Sequence, residues 1–407
     1  MQPITATLPS NNYDFAVIGG GIIGLCTALE IQSRNQSSSV CLIEKETSLG
    51  EHASSRNSGV LHAGFYYTED SLKARFCRDG NRYWTRFCLE NGLKINQCGK
   101  LVVARNEAQL DSLQMLYERA QKNGVNASII SESEAKKIDP MVKTFRKALY
   151  SPDTSSVDPS EIIRALEKAA RARGIAILTS VAVTGLSENR LTTDKGVIEA
   201  GYIFNCAGLY SDKLARTLNL TEDYRILPFK GIYLKASRNS ADYKTHVYPV
   251  PDLNNPFLGV HVTLTVDGGM KLGPTAIPAF WREQYRGMDN FKWAELFEIS
   301  TRHLNLIISG DSSLRRLAVK EIFKYFKHAM FKEASGLVEG IDPGNFSGWT
   351  KPGIRAQLVN MKTKKLEMDF VIRKTKATLH VLNAVSPGFT CAVPFSKHIC
   401  DLIHEAV

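Results

Sequence analysis

Gly19, Gly21 and Gly24 stand at the spacing GxGxxG inside YDFAVIGGGIIGLCTALEI, between one apolar run and the next. Glycine at the first position permits a tight turn, at the second lets the backbone approach a pyrophosphate, and at the third permits close packing of a helix. A diphosphate set on that turn faces the positive end of the helix. Glu44 follows Gly24 by twenty positions (44 minus 24) at the end of VCLIEK, where a carboxylate accepts hydrogen bonds from ribose hydroxyls. The combination points to dinucleotide binding. Two histidines, His62 in SGVLHAG and His261 in LGVHV, are of the type that accepts a proton near neutral pH.

These residues need elements to hold them. YDFAVIGGGIIGLCTALEI reads as a buried strand, a glycine turn and a helix, and VCLIEK as the second strand of a βαβ unit. The segment from Ser48 to Tyr67, rich in Ser, Asn, His and Gly, is too long for a minimal connection and is a candidate functional loop. Helical periodicity covers Leu72 to Asn91 and Glu107 to Asn123. In DPSEIIRALEKAARARG, Asp158 caps, Pro159 opens and Gly174 stops a further helix, with Glu161 at its third position. The short strands IAIL and SVAV follow, and residues 201 to 206 form another apolar strand.

Pro228 to Gly273 alternates aromatic and β-branched residues with Pro and Gly, the pattern of an antiparallel sheet. Residues 291 to 335 return to helical patterning and carry Arg315, Arg316, Lys320, Lys324, Lys327 and Lys332. Such a stretch either rests on an acidic membrane surface or forms a solvated helical face. The strand TLHVLNA, the turn SPGFT and a helix close the chain.

A length of 407 residues calls for two lobes or more, and 43% hydrophobic with 23% charged residues is the balance of a soluble globular protein. No run reaches the roughly 18 to 20 apolar residues of a bilayer span. Met1 to Asn12 carries no Lys or Arg ahead of an apolar stretch, so a secretory signal is not expected and the chain is placed in the cytoplasm. The eight cysteines form no CxxC pair, which favours buried thiols over a metal site. A net charge of +10 favours anionic substrates, anionic lipids or nucleic acid. The basic residues are scattered rather than interleaved with exposed aromatics, which speaks against nucleic acid.

The glycine fingerprint serves both FAD and NAD. Two later features favour FAD. YIFNCAG ends in Cys206, Ala207 and Gly208, a small-residue exit that lets the chain pass close to a cofactor. NAVSPGFT, with Gly388 ahead of a helix, offers backbone amides to a second polar portion of a long cofactor.

Along nearly its whole length the sequence resembles the L-2-hydroxyglutarate dehydrogenases and oxidases, within the D-amino-acid-oxidase-like flavoproteins. The segments that carry the resemblance are YDFAVIGGGIIGL, NSGVLHAGFYYTEDSLKARFCRDGN, YPVPDLNNPFLGVHVTLTVDG, LGPTAIPAFWREQY, PGIRAQ and LHVLNAVSP. The resemblance implies an α/β (α+β) fold: a Rossmann-like FAD-binding domain from separated stretches, 1–90, 145–225 and 345–407. A substrate domain of 91–144 and 226–344, with a mainly antiparallel sheet, completes it. The sequence departs from the family in FKGIY, where Lys230 and Ile232 replace an Arg and a Glu, and in HASSRNSG, where Arg56 replaces a His.

The implied reaction is oxidation of L-2-hydroxyglutarate to 2-oxoglutarate, with hydride transfer from C2 to flavin N5 and removal of the hydroxyl proton by a base. His62, which the family places beside the flavin, is the first candidate base and His261 the second; for each, the alternative is a core ring satisfied by backbone groups. Arg355, Lys230, Tyr233, Tyr66 and Arg282 are the candidate partners of two carboxylates, although Arg355 equally suits pinning a loop and Arg282 a surface ion pair. The candidate cofactor contacts are Gly19, Gly21, Gly24, Glu44, Lys45, Ser55, Asn57, Ser58, Gly59, Ala182, Cys206, Ala207, Gly208, Gly353, Ser386, Pro387, Gly388, Phe389 and Thr390, with no metal ligand. The sequence leaves the electron acceptor open between oxygen and a membrane quinone, and with it a peripheral contact at the inner face of the membrane. Other flavoenzymes acting on 2-hydroxy acids, amines or glycerol 3-phosphate, and a flavin-binding protein without turnover, are the competing readings.

Overall fold

Asn12–Ile18 forms a strand buried between two parallel neighbours: Phe15 to Ile18 pair with Val40 to Ile43 on one side, and Phe15 with Tyr202 through Ile18 with Asn205 on the other. A strand paired and covered in this way needs no polar alternate positions, which explains why AVI and VCLI are continuous apolar runs. Ala176–Leu178 extends this parallel sheet beyond Val40–Ile43, and Thr378–Asn383 extends it beyond Gly196–Asn205. The Val183–Ser187 and Arg190–Thr193 hairpin joins the first half of Gly196–Asn205 in antiparallel fashion. The helices Ile22–Arg34, Pro159–Ala172 and Gly388–His404 follow the readings of the sequence, and Gly174 ends the second of them with φ +77°.

The computed structural model describes residues 10–237, 242–251, 259–309 and 326–404. The chain divides into two compact units, the first made of residues 1–55, 159–226 and 356–407 and the second of 56–158 and 227–355. Residues 56–90, 145–158 and 345–355, which the sequence groups with the nucleotide-binding stretches, fall in the second unit. The reason is pairing: Val60–Leu61 and Ile95–Asn96 both bond to Ser155–Val157.

The second unit is built on an eight-stranded sheet. From one edge to the other run Phe346–Trp349, Leu234–Ala236, Met270–Gly273, His261–Leu264, His246–Pro249, Lys100–Val103, Lys147–Ser151 and Ser128–Ser131. All neighbours are antiparallel except His246–Pro249 with Lys100–Val103, which run parallel. Its core contains Leu101, Val103, Val247, Val262, Leu272, Met330 and Phe346. Among the described residues no helix is long and apolar enough to cross a membrane. Of the basic stretch, Arg315, Arg316, Lys320 and Lys324 lie outside the described residues, while Lys327 and Lys332 belong to the Lys327–Ser335 helix.

Candidate active site

In the first unit the glycine turn is shaped by what lies against it. Gly19 has φ +103°, and a side chain there would run into the backbone of Cys206 and Ala207, which return beside the turn. A methyl group on Gly24 would overlap the Gly19 carbonyl oxygen, so the helix starts in direct contact with the strand it follows. Glu44 is buried at 7% exposure; one carboxylate oxygen accepts the Gly20 N–H at 2.8 Å and the other the Glu46 N–H at 2.9 Å. Gly21 caps the helix without a side-chain bond, and the first turn carries no acidic residue. The turn is therefore shaped for an anionic group at a helix N-terminus and fits a dinucleotide diphosphate.

Ser54 stands over the same turn and was not among the sequence candidates. Its Oγ accepts the Ile22 N–H at 2.9 Å, while Ser55, which was a candidate, bonds through its backbone N–H to Gly50 and His52. The neighbouring hydroxyls cannot be ranked from sequence, because loop geometry alone decides which faces the helix. Lys45 pairs with Glu46 and lies 5.6 Å from the Tyr210 ring centroid. The Ala182 N–H donates to Asp194 at 2.9 Å. Ser386 and Pro387 lead into the Gly388–His404 helix, which Gly388, Phe389 and Thr390 open and which packs on the Ile22–Arg34 helix through Thr27 and Ser396 at 3.1 Å.

In the second unit a different group assembles. His62, Tyr66, Lys100, Tyr233, His246, Tyr248, His261 and Arg355 all belong to it. His261 is 4% exposed and stacks on Tyr248 with ring centroids 3.7 Å apart. Its Nδ1 lies 2.9 Å from the Gly259 carbonyl. A carbonyl only accepts, so Nδ1 carries the hydrogen and Nε2 the lone pair. Burial, and then the Lys100 charge, hold His261 well below the usual histidine range, against the Gly259 bond.

His62 is the opposite case. Its Nδ1 lies 3.4 Å from Nζ of Lys100. Lys100 in its ammonium form only donates, and in that form the ring accepts at Nδ1 and carries its hydrogen on Nε2. Burial and then Lys100 push His62 down too. Its backbone is held by the Cys77 thiol on the His62 carbonyl at 3.2 Å and by Asn81 on the Leu61 carbonyl at 3.0 Å.

Three tyrosines and one arginine complete the group. The hydroxyls of Tyr66 and Tyr248 are buried without a hydrogen-bond partner among the described residues, as is that of Thr263. Burial raises all three phenols, and Arg355 opposes the rise at Tyr233. Arg355 donates to the Thr275 carbonyl at 3.1 Å, and its charge also acts on His261. Buried hydroxyls that find no protein partner are the groups that a polar ligand would satisfy.

The remaining candidates also belong to the second unit, and several of them brace its loops. Asn57 Oδ1 accepts the Gly59 N–H at 2.8 Å and Ser58 Oγ the Val60 N–H at 3.2 Å, so both brace the turn ahead of His62. A side chain on Gly353 would overlap the Arg56 carbonyl oxygen, and Arg56 itself lies 4.2 Å from the Tyr285 ring centroid. Lys230 is buried beside Asp289, and burial lowers it. Arg282 is fully buried rather than at the surface, with its backbone N–H on Glu295 at 3.0 Å. Lys100 and His246 escaped the sequence reading. KLVV and HVYP give no periodic sign of which polar residue is enclosed.

The family profile described as FAD dependent oxidoreductase matches residues 14–402. An L-2-hydroxyglutarate dehydrogenase of Escherichia coli O17:K52:H18 is 35% identical, covering 96% of this chain and 93% of its own. The mitochondrial L-2-hydroxyglutarate dehydrogenase of Homo sapiens is 32% identical, covering 97% of this chain and 89% of its own. Among solved structures, an FAD-bound L-alpha-glycerophosphate oxidase from Mycoplasma pneumoniae superposes with a TM-score of 0.75 at 22% identity, covering 97% of this chain and 95% of its own. A glycine oxidase from Geobacillus kaustophilus gives 0.74 at 17%, covering 98% and 96%. These two establish a shared mixed α/β fold, and the family profile assigns the chain to the FAD dependent oxidoreductases.

Proposed function

We propose that this chain, which belongs to the FAD dependent oxidoreductase family, oxidises L-2-hydroxyglutarate to 2-oxoglutarate. FAD is its cofactor, and the glycine turn with Glu44 fits the adenosine diphosphate portion. When bound, FAD supplies the two-electron acceptor for the hydride that leaves C2. The first unit is the FAD-binding domain in this reading and the second the substrate domain.

The observation that carries the substrate class is the charge around His261. Lys100 and Arg355 are the cations acting on the histidine and tyrosine group, and no carboxylate among the described residues acts on it. The nearby Glu333 accepts the Val260 backbone N–H at 3.2 Å. An enclosure of cations and hydroxyls suits a dicarboxylate, and its described residues offer no counter-charge to an ammonium, which favours a hydroxy acid over an amino acid.

In the proposed reaction Nε2 of His261 takes the hydroxyl proton as C2 gives up its hydride, so alcohol and base exchange one proton and the cofactor gains two electrons. Burial keeps the ring neutral and ready to accept at neutral pH, and the arriving carboxylates raise its basicity. Nε2–H of His62, the Tyr66 and Tyr248 hydroxyls and the Arg355 guanidinium hold the carboxylates. Purified enzyme is expected to convert the L form, and not the D form, to 2-oxoglutarate; equal conversion of both, or of neither, overturns this assignment.

A second surface supports a membrane contact and a quinone acceptor. Trp293, Phe297, Leu304 and Ile308 are 66%, 64%, 56% and 68% exposed, at spacings of four, seven and four that place them on one face of the Trp293–Ser309 helix. With a net charge of +10, that stripe suits an anionic lipid surface, where a quinone would reoxidise the flavin. Sedimentation with anionic vesicles, abolished in Phe297→Glu, is the expected result; a protein that stays in the supernatant leaves oxygen as the acceptor.

A further inference from the structure

We propose that Lys100 is a positioning residue for the oxidation: its buried ammonium donates to Nδ1 of His62 and so presents the Nε2–H of that ring to a carboxylate of the substrate. The inference rests on the hydroxy-acid reading above. It adds a residue that neither the glycine motif nor the histidine motifs contain.

Lys100 is fully buried at the head of the Lys100–Val103 strand, paired in parallel with His246 and in antiparallel fashion with Ser151. Its Nζ reaches His62 Nδ1 at 3.4 Å and lies 4.3, 5.3 and 5.5 Å from the ring centroids of Tyr248, Tyr66 and Phe65. Those aromatic faces offset part of the loss of hydration, as cation–π contacts do.

The titratable groups around it come from every neighbouring element. His62 and Tyr66 stand in the segment after Val60–Leu61, Cys77 in the Leu72–Glu90 helix, and Cys98 just ahead of Lys100 itself. His246 and Tyr248 lie on one adjoining strand and His261 on the next. No carboxylate among the described residues is paired with Lys100. Burial accordingly pushes the amine down to about 7. A lysine kept in the interior without an anion is costly unless a ligand brings one.

The two rings then become complementary. Gly259 leaves His261 with an acceptor at Nε2, and Lys100 leaves His62 with a donor there. Oxidising a hydroxyl beside a carboxylate needs one of each, an acceptor for the proton and a donor for the anion.

Nitrogen-15 spectra of the histidine rings test the contact directly, with the His62 signals identified by their loss in His62→Gln. We expect a pyridine-type Nδ1 and a pyrrole-type Nε2 in the wild type, a mixture of tautomers in Lys100→Met, and restoration in Lys100→Gln, whose amide can donate. In the wild type kcat/KM should fall about tenfold per pH unit above about 7, while kcat holds to higher pH because the bound dianion keeps the ammonium charged. In Lys100→Met that fall should vanish and KM rise roughly 10- to 100-fold, the effect typical of losing a partner that orients an active group, with kcat changed less. A wild-type His62 protonated at Nδ1, or a Lys100→Met protein with unchanged tautomer and KM, overturns the proposal. If the variants do not fold, the wild-type tautomer and pH profile decide. Absence of L-2-hydroxyglutarate turnover would instead remove the substrate reading, whereas turnover with His62 protonated at Nδ1 removes the Lys100 inference alone.

Discussion

His62 and His261 present the same residue type with opposite valence at Nε2, and the difference is set by partners far away in sequence or outside the motif's chemistry. Gly259 fixes one ring through a backbone carbonyl and Lys100 fixes the other through an ammonium. His261→Gln is therefore expected to keep its FAD and reduce it more slowly by the ~10²- to 10⁴-fold of a lost general base. An unchanged rate of flavin reduction would return the base role to His62. Both histidines were legible from SGVLHAG and LGVHV, and Tyr66, Tyr233 and Arg355 from neighbouring motifs. The sequence ranks His62 first as base and the proposed reaction assigns His261, because a tautomer depends on which atom faces the ring and no motif records that. Lys230 is readable as a cation for a carboxylate, and the structure adds that it is buried with the Asp289 charge acting on it.

At the scale of elements the glycine turn was the most readable part, since strand, turn, helix and Glu44 each leave a local mark. The structure adds the reason for the third glycine, whose missing side chain makes room for the Gly19 carbonyl. Gly24→Ala should push the helix off that oxygen, cost about 1–3 kcal/mol as an overpacked contact, and yield protein with little bound flavin. Full yellow colour with an unchanged urea midpoint would show that the turn adjusts freely. The Pro159–Ala172 helix was equally legible from its Pro and Gly boundaries. The parallel pairing of Lys100–Val103 with His246–Pro249 was not, because two short apolar strands distant in sequence carry no sign of register or direction. That pairing joins Lys100 to His246, two residues that escaped the sequence and whose enclosure depends on a long-range contact.

For the molecule as a whole, the interleaving of segments in each unit could be read as a discontinuous domain, but its boundaries follow from strand pairing rather than composition. Burial lowers His62, His246, His261, His303 and His380 in the folded state, two of them to about 3 and about 4. The unfolded chain titrates near 6.5, so below that pH it binds protons that the folded state refuses, and stability falls as the solution is acidified. His246 and His380 should each remove about 2 kcal/mol between pH 6.5 and about pH 5. A melting temperature that holds constant over that interval would contradict their neutral burial. If this flavoprotein draws two electrons from L-2-hydroxyglutarate, anaerobic mixing in a stopped-flow spectrometer makes the transfer visible. The visible absorbance of the bound flavin should bleach with the L form in a single turnover and persist with the D form. A yellow protein that the L form leaves oxidised would contradict the account.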